Sequence, residues 1–108
     1  MEQIPGNDKM PSEVVFERGE MKLEYTELPF GSKAVEIEQP DEEMFAVVNR
    51  IMHDNLTGSE AYNAKKACGV FWQVGQEADT DYIKLEFWKA DEAAHRAFIA
   101  LLIQRYTK

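Results

Sequence analysis

The sequence predicts an α+β fold with a mainly antiparallel sheet, in the order β-β-β-α-β-β-α, and two helices packed on that sheet. Two observations carry this reading. Short apolar runs at spacing two are bounded by turn residues along the chain, and two longer stretches repeat their apolar residues at helical spacing. Strands grouped in runs, with helices between the runs, indicate segregated layers and antiparallel pairing.

Taken in order, residues 1–12 hold two prolines and few large apolar groups, so a disordered lead-in is expected there, with a single domain over 13–108. Val14, Val15 and Phe16 lead to Arg18-Gly19, and Met21, Leu23 and Tyr25 follow at spacing two. That is a hairpin, with Gly19 supplying the positive φ of a tight turn. Pro29-Phe30-Gly31-Ser32 is a second turn, ahead of a third strand over 34–38. Pro40-Asp41-Glu42-Glu43 opens a helix whose apolar stripe is Met44, Val47, Val48, Ile51 and Met52. The pattern decays at Asp54-Asn55 and stops at Gly58. Residues 59–66 read either as one or two further helical turns or as an irregular connection.

The last third is the clearest part. Ile83, Leu85 and Phe87 alternate with Tyr82, Lys84, Glu86 and Trp88, and a second apolar run lies at 69–74. The polar stretch 75–80 between them makes a hairpin. In the expected register Val70, Trp72 and Val74 share the core face with Ile83, Leu85 and Phe87, while Phe71, Gln73, Tyr82, Lys84, Glu86 and Trp88 take the other face. Asp91 is the N-cap of the final helix, and Arg105 and Lys108 suit its negative end. Apolar residues from Ala94 to Tyr106 spread over roughly two-thirds of its circumference, whereas a sheet contact uses a stripe a little over about 100° wide. A second contact surface is therefore expected, from the same chain or from a copy. Ile83, Leu85, Phe87, Phe98, Leu101 and Leu102 are the predicted core.

A chain of 108 residues suffices for one core without disulfides or metal. It has no basic region leading into an apolar run at its start and no apolar stretch of membrane-spanning length. One cysteine, Cys68, excludes an internal disulfide and fits a reducing compartment, so a cytoplasmic location is expected. The net charge of −8 is uneven. Residues 1–60 hold 14 Asp/Glu against 5 Lys/Arg (net −9), and residues 61–108 hold 6 against 7 (net +1). Direct nucleic-acid binding is disfavoured, because phosphate contacts need clustered Lys/Arg. Gly-rich phosphate loops, Cys-x-x-Cys and His-x-x-x-His are absent from the sequence, which calls for no cofactor and no metal. His95 falls within the apolar arc of its helix and His53 on a polar side. A hydrogen-bonded packing role for the first and a solvated one for the second are the plainer readings.

The stretch QEADTDYIKLEFWKADEAAHRAF (76–98) resembles the second half of the dimeric α+β barrel domains related to antibiotic-biosynthesis monooxygenases. In those a strand ending in Glu-x-Trp leads into an Ala-rich helix carrying a histidine, and Glu86, Trp88 and His95 stand in roughly those places. VEIEQPDEEMFAVVNRI (35–51) is similar to the first half. The resemblance implies a dimeric ligand-binding domain or small oxidoreductase with Trp88, His95 and Glu86 lining a pocket. The Trp-to-His interval is shorter here, and no closing strand follows Tyr106. The element order also resembles that of small acidic dimeric secretion chaperones, without their N-terminal helix.

The function expected from these features is that of a small acidic protein-binding or regulatory module of the inhibitor, antitoxin or chaperone kind. It would act through Glu24, Glu36, Glu38, Asp41, Glu42 and Glu43 on a protein partner with a basic surface. The alternative is the α+β-barrel-like ligand-binding domain or oxidoreductase. Phe71, Tyr82, Glu86, Trp88 and His95 would form its ligand pocket or, under either reading, a dimer face, and a homodimer through the final helix and the outer sheet face is expected in any case. A structural subunit of a larger assembly is the third class.

Overall fold

The computed structural model describes residues 12–108. The expected lead-in lies outside the described residues except for Ser12, which opens the first strand. Five strands follow one another as β1 (Ser12–Arg18), β2 (Met21–Glu27), β3 (Lys33–Glu38), β4 (Val70–Glu77) and β5 (Thr80–Phe87). The helices are α1 (Glu42–Met52), α2 (Glu60–Cys68) and α3 (Glu92–Thr107). All neighbouring strands are antiparallel, and the sheet order is β1-β2-β3-β5-β4. The fold is therefore α+β with an antiparallel sheet, and it carries one helix more than the sequence pattern predicts.

That extra helix, α2, has its own boundary signals. Ser59 Oγ accepts a hydrogen bond from the Tyr62 amide at 3.0 Å, and Gly69 closes the far end in the left-handed region at φ 65. Between the caps α2 buries only Ala61 and Cys68, so apolar periodicity cannot reveal it. Lys65 ties it down by donating from Nζ to the carbonyls of Met52 (3.0 Å) and Asp54 (2.5 Å), two acceptors around the C-terminal end of α1.

Asp91 caps α3 as expected, accepting from the Ala94 amide at 3.1 Å, and Asp41, expected in the acidic opening of α1, is its N-cap and accepts from the Met44 amide at 2.8 Å. Gly19 turns the first hairpin at φ 61. The second hairpin is tighter than predicted. The strands run on through the polar stretch to a two-residue turn at Ala78-Asp79, both at positive φ, as a twist-matched hairpin turn requires.

All three helices pack on one face. Met21, Leu23, Tyr25, Val35, Ile37, Ile83, Leu85 and Phe87 from the sheet share one core with Met44, Val47, Val48 and Ile51 of α1 and with Phe98, Ile99, Leu101, Leu102 and Tyr106 of α3. The six predicted core residues are all buried. The second contact surface that α3 needs comes from its own chain. α2 and α1 flank it, and Phe16 of β1 meets Tyr106 edge-on at 5.9 Å. Every large apolar residue of α3 is buried or partly buried, so the helix offers no apolar stripe to a second copy.

Candidate functional site: the open face of the sheet

The register fixes which side chains share the helix-free face. Residues directly opposite one another lie on the same side, and successive residues alternate. Three rows result. The first is Ser12, Thr26, Ala34, Glu86 and Phe71, the second Val14, Glu24, Glu36, Lys84 and Gln73, and the third Glu17, Lys22, Glu38, Tyr82 and Gly75. Among the described residues no helix covers these rows.

The middle of this face is acidic. Glu24 stands directly opposite Glu36 across the β2–β3 pair, and Glu38 is the next residue on that side of β3. Lys84 faces Glu36 from β5 and also pairs with Glu86 at 3.6 Å. Partial burial holds the Glu36 carboxyl above the usual carboxylate range. Lys84 opposes that shift, and the nearby Glu24, Glu38 and Glu77 add to it.

One end of the face is aromatic. Phe71 and Trp88 stack with ring centroids 6.0 Å apart, yet they remain 48% and 71% exposed. Phe30 stands at the tip of the Pro29–Gly31 turn with its side chain fully in solvent. Its φ of 70 is a conformation that bulky residues rarely adopt and that costs on the order of 1–3 kcal/mol. Phe30 and Trp88 together border a cavity of about 260 Å³ that also touches Lys33, Lys89, Glu92 and His95. Tyr82 differs from the other two aromatics expected on this side. Its ring lies across Gly75, where a Cβ would stand 2.7 Å from the Tyr82 hydroxyl, and the side chain is half-covered.

The acidic candidates divide into two groups. Glu24, Glu36 and Glu38 meet on the open face. Asp41, Glu42 and Glu43 lie at the start of α1, where Glu42 and Glu43 are exposed. Asp41 is committed internally. Beyond capping Met44 it accepts the Tyr106 hydroxyl at 2.5 Å, joining the start of α1 to the end of α3. That bond, with the cap bond and Arg18 nearby, holds its carboxyl below the usual range.

The pocket candidates also divide. Glu86 and Phe71 lie on the open face and Trp88 at its aromatic end, but His95 lies on the helix side, 1% exposed. Its ring stacks on Phe87 at 4.4 Å. Nε2 stands 2.5 Å from the Lys89 carbonyl and Nδ1 2.8 Å from the Tyr25 hydroxyl. In the neutral ring Nε2 donates to the carbonyl and Nδ1 accepts from Tyr25, so both nitrogens are satisfied within the chain. Burial above all, and the nearby Glu92, raise the Tyr25 hydroxyl above its ordinary value, although the Arg96 guanidinium opposes this. Arg96 and Lys33 stand 4.9 and 5.4 Å from the Tyr25 ring centre, and Arg96 also grips Glu13 at 2.8 Å, which latches β1 to α3. His53 caps the C-terminal end of α1, exposed, with its ring edge-on to Trp72 at 6.3 Å.

Phe30 is the residue that sequence reading missed. An aromatic side chain at the tip of a Pro-Phe-Gly turn was the available signal, since such tips usually carry polar groups. No family model, curated protein or solved structure matches this chain. Among the described residues no helix is long and apolar enough to cross a membrane.

Proposed function

We propose that this chain is a protein-binding module of the inhibitor or chaperone kind, which docks a basic segment of a partner protein on the open face of its sheet. The observation that carries the reading is Glu36. It is half-covered at the middle of that face and opposed by Glu24, and like charges directly across a strand pair cost roughly 0.2–1 kcal/mol. Lys84, across from Glu36 on the β5 side, offsets part of that cost, yet burial and the neighbouring carboxylates still disfavour the Glu36 charge. A cationic side chain set between the two carboxylates relieves the repulsion. Trp88, 71% exposed and stacked on Phe71 at one end of that face, supplies an aromatic anchor of the type that dominates binding energy at interfaces. A small-ligand role for His95 has less support, because both of its ring nitrogens already have partners.

Affinity capture from the native host, followed by titration of the captured partner, tests the reading. The variants are Glu24→Lys with Glu36→Lys, Trp88→Ala, and Glu42→Lys with Glu43→Lys as a control off the face. The first two are expected to weaken binding at least about tenfold and the control to leave it near wild type, with added salt slowing association. Equal binding by wild type and both face variants overturns the proposal.

A further inference from the structure

We infer that two copies of this chain join edge to edge through β4, antiparallel about a two-fold axis at Gln73, so that one sheet runs through both. This goes beyond the docking reading and does not rest on it.

The sheet has two edges, and they are built differently. β1 has an irregularity between Val14 and Phe16 and carries Glu13, Glu17 and Arg18, which are ways of guarding an edge against further pairing. β4 has no such irregularity, and its one charged residue is Glu77 at the hairpin end. Its ladder with β5 is regular from Val70 to Glu77. Its residues 70–76 also lie in the longest stretch of the chain without Asp, Glu, Lys or Arg, residues 67–76. In a protein of net charge −8 this is the edge where two copies meet without repulsion.

The backbone fixes what that edge can pair with. The Trp88 amide donates to the Gly69 carbonyl at 3.1 Å, so Gly69 and then every second residue of β4 turn towards β5. The amides and carbonyls of Val70, Trp72, Val74 and Gln76 point out of the sheet. A two-fold axis at Gln73 makes hydrogen-bonded pairs of Trp72 with Val74 of the second copy and of Val70 with its Gln76. Side chains then match in size. Phe71, 48% exposed, stands opposite the second copy's Gly75 against the Tyr82 ring that lies across it, and Val74, 50% exposed, stands opposite Trp72. Glu77 falls opposite Gly69, so no carboxylate meets another. The neighbouring registers that keep the hydrogen-bond parity put Phe71 on Gln73 or on Glu77 and lose this match. Only a second copy supplies its own complement in this way, and two-fold pairing is the commonest closed arrangement. The axis is perpendicular to the sheet, so both open faces end on the same side.

Sedimentation equilibrium across the micromolar range tests the inference, with a species of twice the 12.4 kDa chain expected for the wild type. Val74→Pro removes an amide that points off the edge and none that bonds β5, and Val74→Lys puts a charge opposite Trp72. Both are expected to keep the wild-type circular dichroism and to raise the dimer dissociation constant at least about tenfold, two backbone bonds being lost by symmetry in the first. Gln73→Cys provides a measurement that does not depend on those variants folding. On the axis, in a closely spaced pair, it is expected to form a disulfide between copies on air oxidation, whereas Glu17→Cys on the guarded edge is not. A wild type that stays at 12.4 kDa, a dimer that persists in both folded Val74 variants, or no more cross-linking at Gln73→Cys than at Glu17→Cys each overturns it.

Discussion

On the helix side of the sheet, the one buried polar side chain among the described residues, His95, has a partner at each ring nitrogen and an aromatic ring against its plane. On the open side, Glu36 goes half under cover with another carboxylate directly across from it. The strands and the register are the same, and only the alternation of side chains separates the two environments. Selection for stability produces the first pattern. The second leaves a partly covered carboxylate whose charge the fold disfavours, although Lys84 stands across from it on the β5 side.

The contrast breaks most visibly at Phe98. It is fully buried and meets Phe87 edge-on at 5.8 Å. Replacing it with Ala is expected to cost about 3–5 kcal/mol in chemical denaturation, and a loss below about 1 kcal/mol would remove Phe98 from the core. Tyr25→Phe deletes one hydroxyl and leaves the buried Nδ1 of His95 without a donor. It is expected to cost about 1–3 kcal/mol, with the loss shrinking if His95 is replaced by Phe in the same background.

Asp41→Ala removes a helix cap and the acceptor of the Tyr106 hydroxyl, with an expected loss of about 0.5–2 kcal/mol near neutral pH. Because the folded-state pKa of Asp41 is depressed, its contribution is present above the ordinary value of 3.8 and fades as pH falls through the lower folded value. Denaturation of wild type and variant at neutral and strongly acid pH is therefore expected to converge in acid.

The smallest effect has the opposite sign. Glu36→Gln on the open face is expected to stabilise the chain by roughly 0.2–1 kcal/mol at neutral pH, since it removes a charge that partial burial, with Glu24 opposite, disfavours more than Lys84 favours it. The folded pKa of Glu36 is raised, so wild-type stability is fully present below the ordinary value of 4.5 and is lost as pH rises through the folded value. The advantage of the Gln variant should vanish in acid. If Glu36→Gln destabilises at neutral pH, the two faces do not differ in the way described.

Much of the helix side was legible from sequence, because burial writes itself as periodicity. Ile83, Leu85 and Phe87 announce the interior strand β5, and Asp41 and Asp91 announce their helices. α2 was legible only as one of two alternatives for 59–66, helical turns or an irregular connection, because it holds its place through caps and the Lys65 bonds rather than an apolar stripe. The open face was legible only as alternation. That Glu24, Glu36 and Glu86 share one surface follows from β5 inserting between β3 and β4, a pairing of segments distant in sequence that no local pattern encodes. The separation of His95 from Glu86 has the same origin. One lies on the helix packed over the sheet and the other on the far side of the strand before it.

Cys68 gives the molecule an internal reporter of opening. Its thiol ends α2, is buried, donates to the Ala94 carbonyl of α3 at 3.2 Å, and is pushed by burial up to about 11. Thiolate, the form that reacts, is thus scarce while α2 stays docked, and no reagent reaches the sulfur. As the chain's sole cysteine it makes labelling by a thiol reagent a single-site event whose rate reads the frequency with which α2 parts from α3, apart from global unfolding.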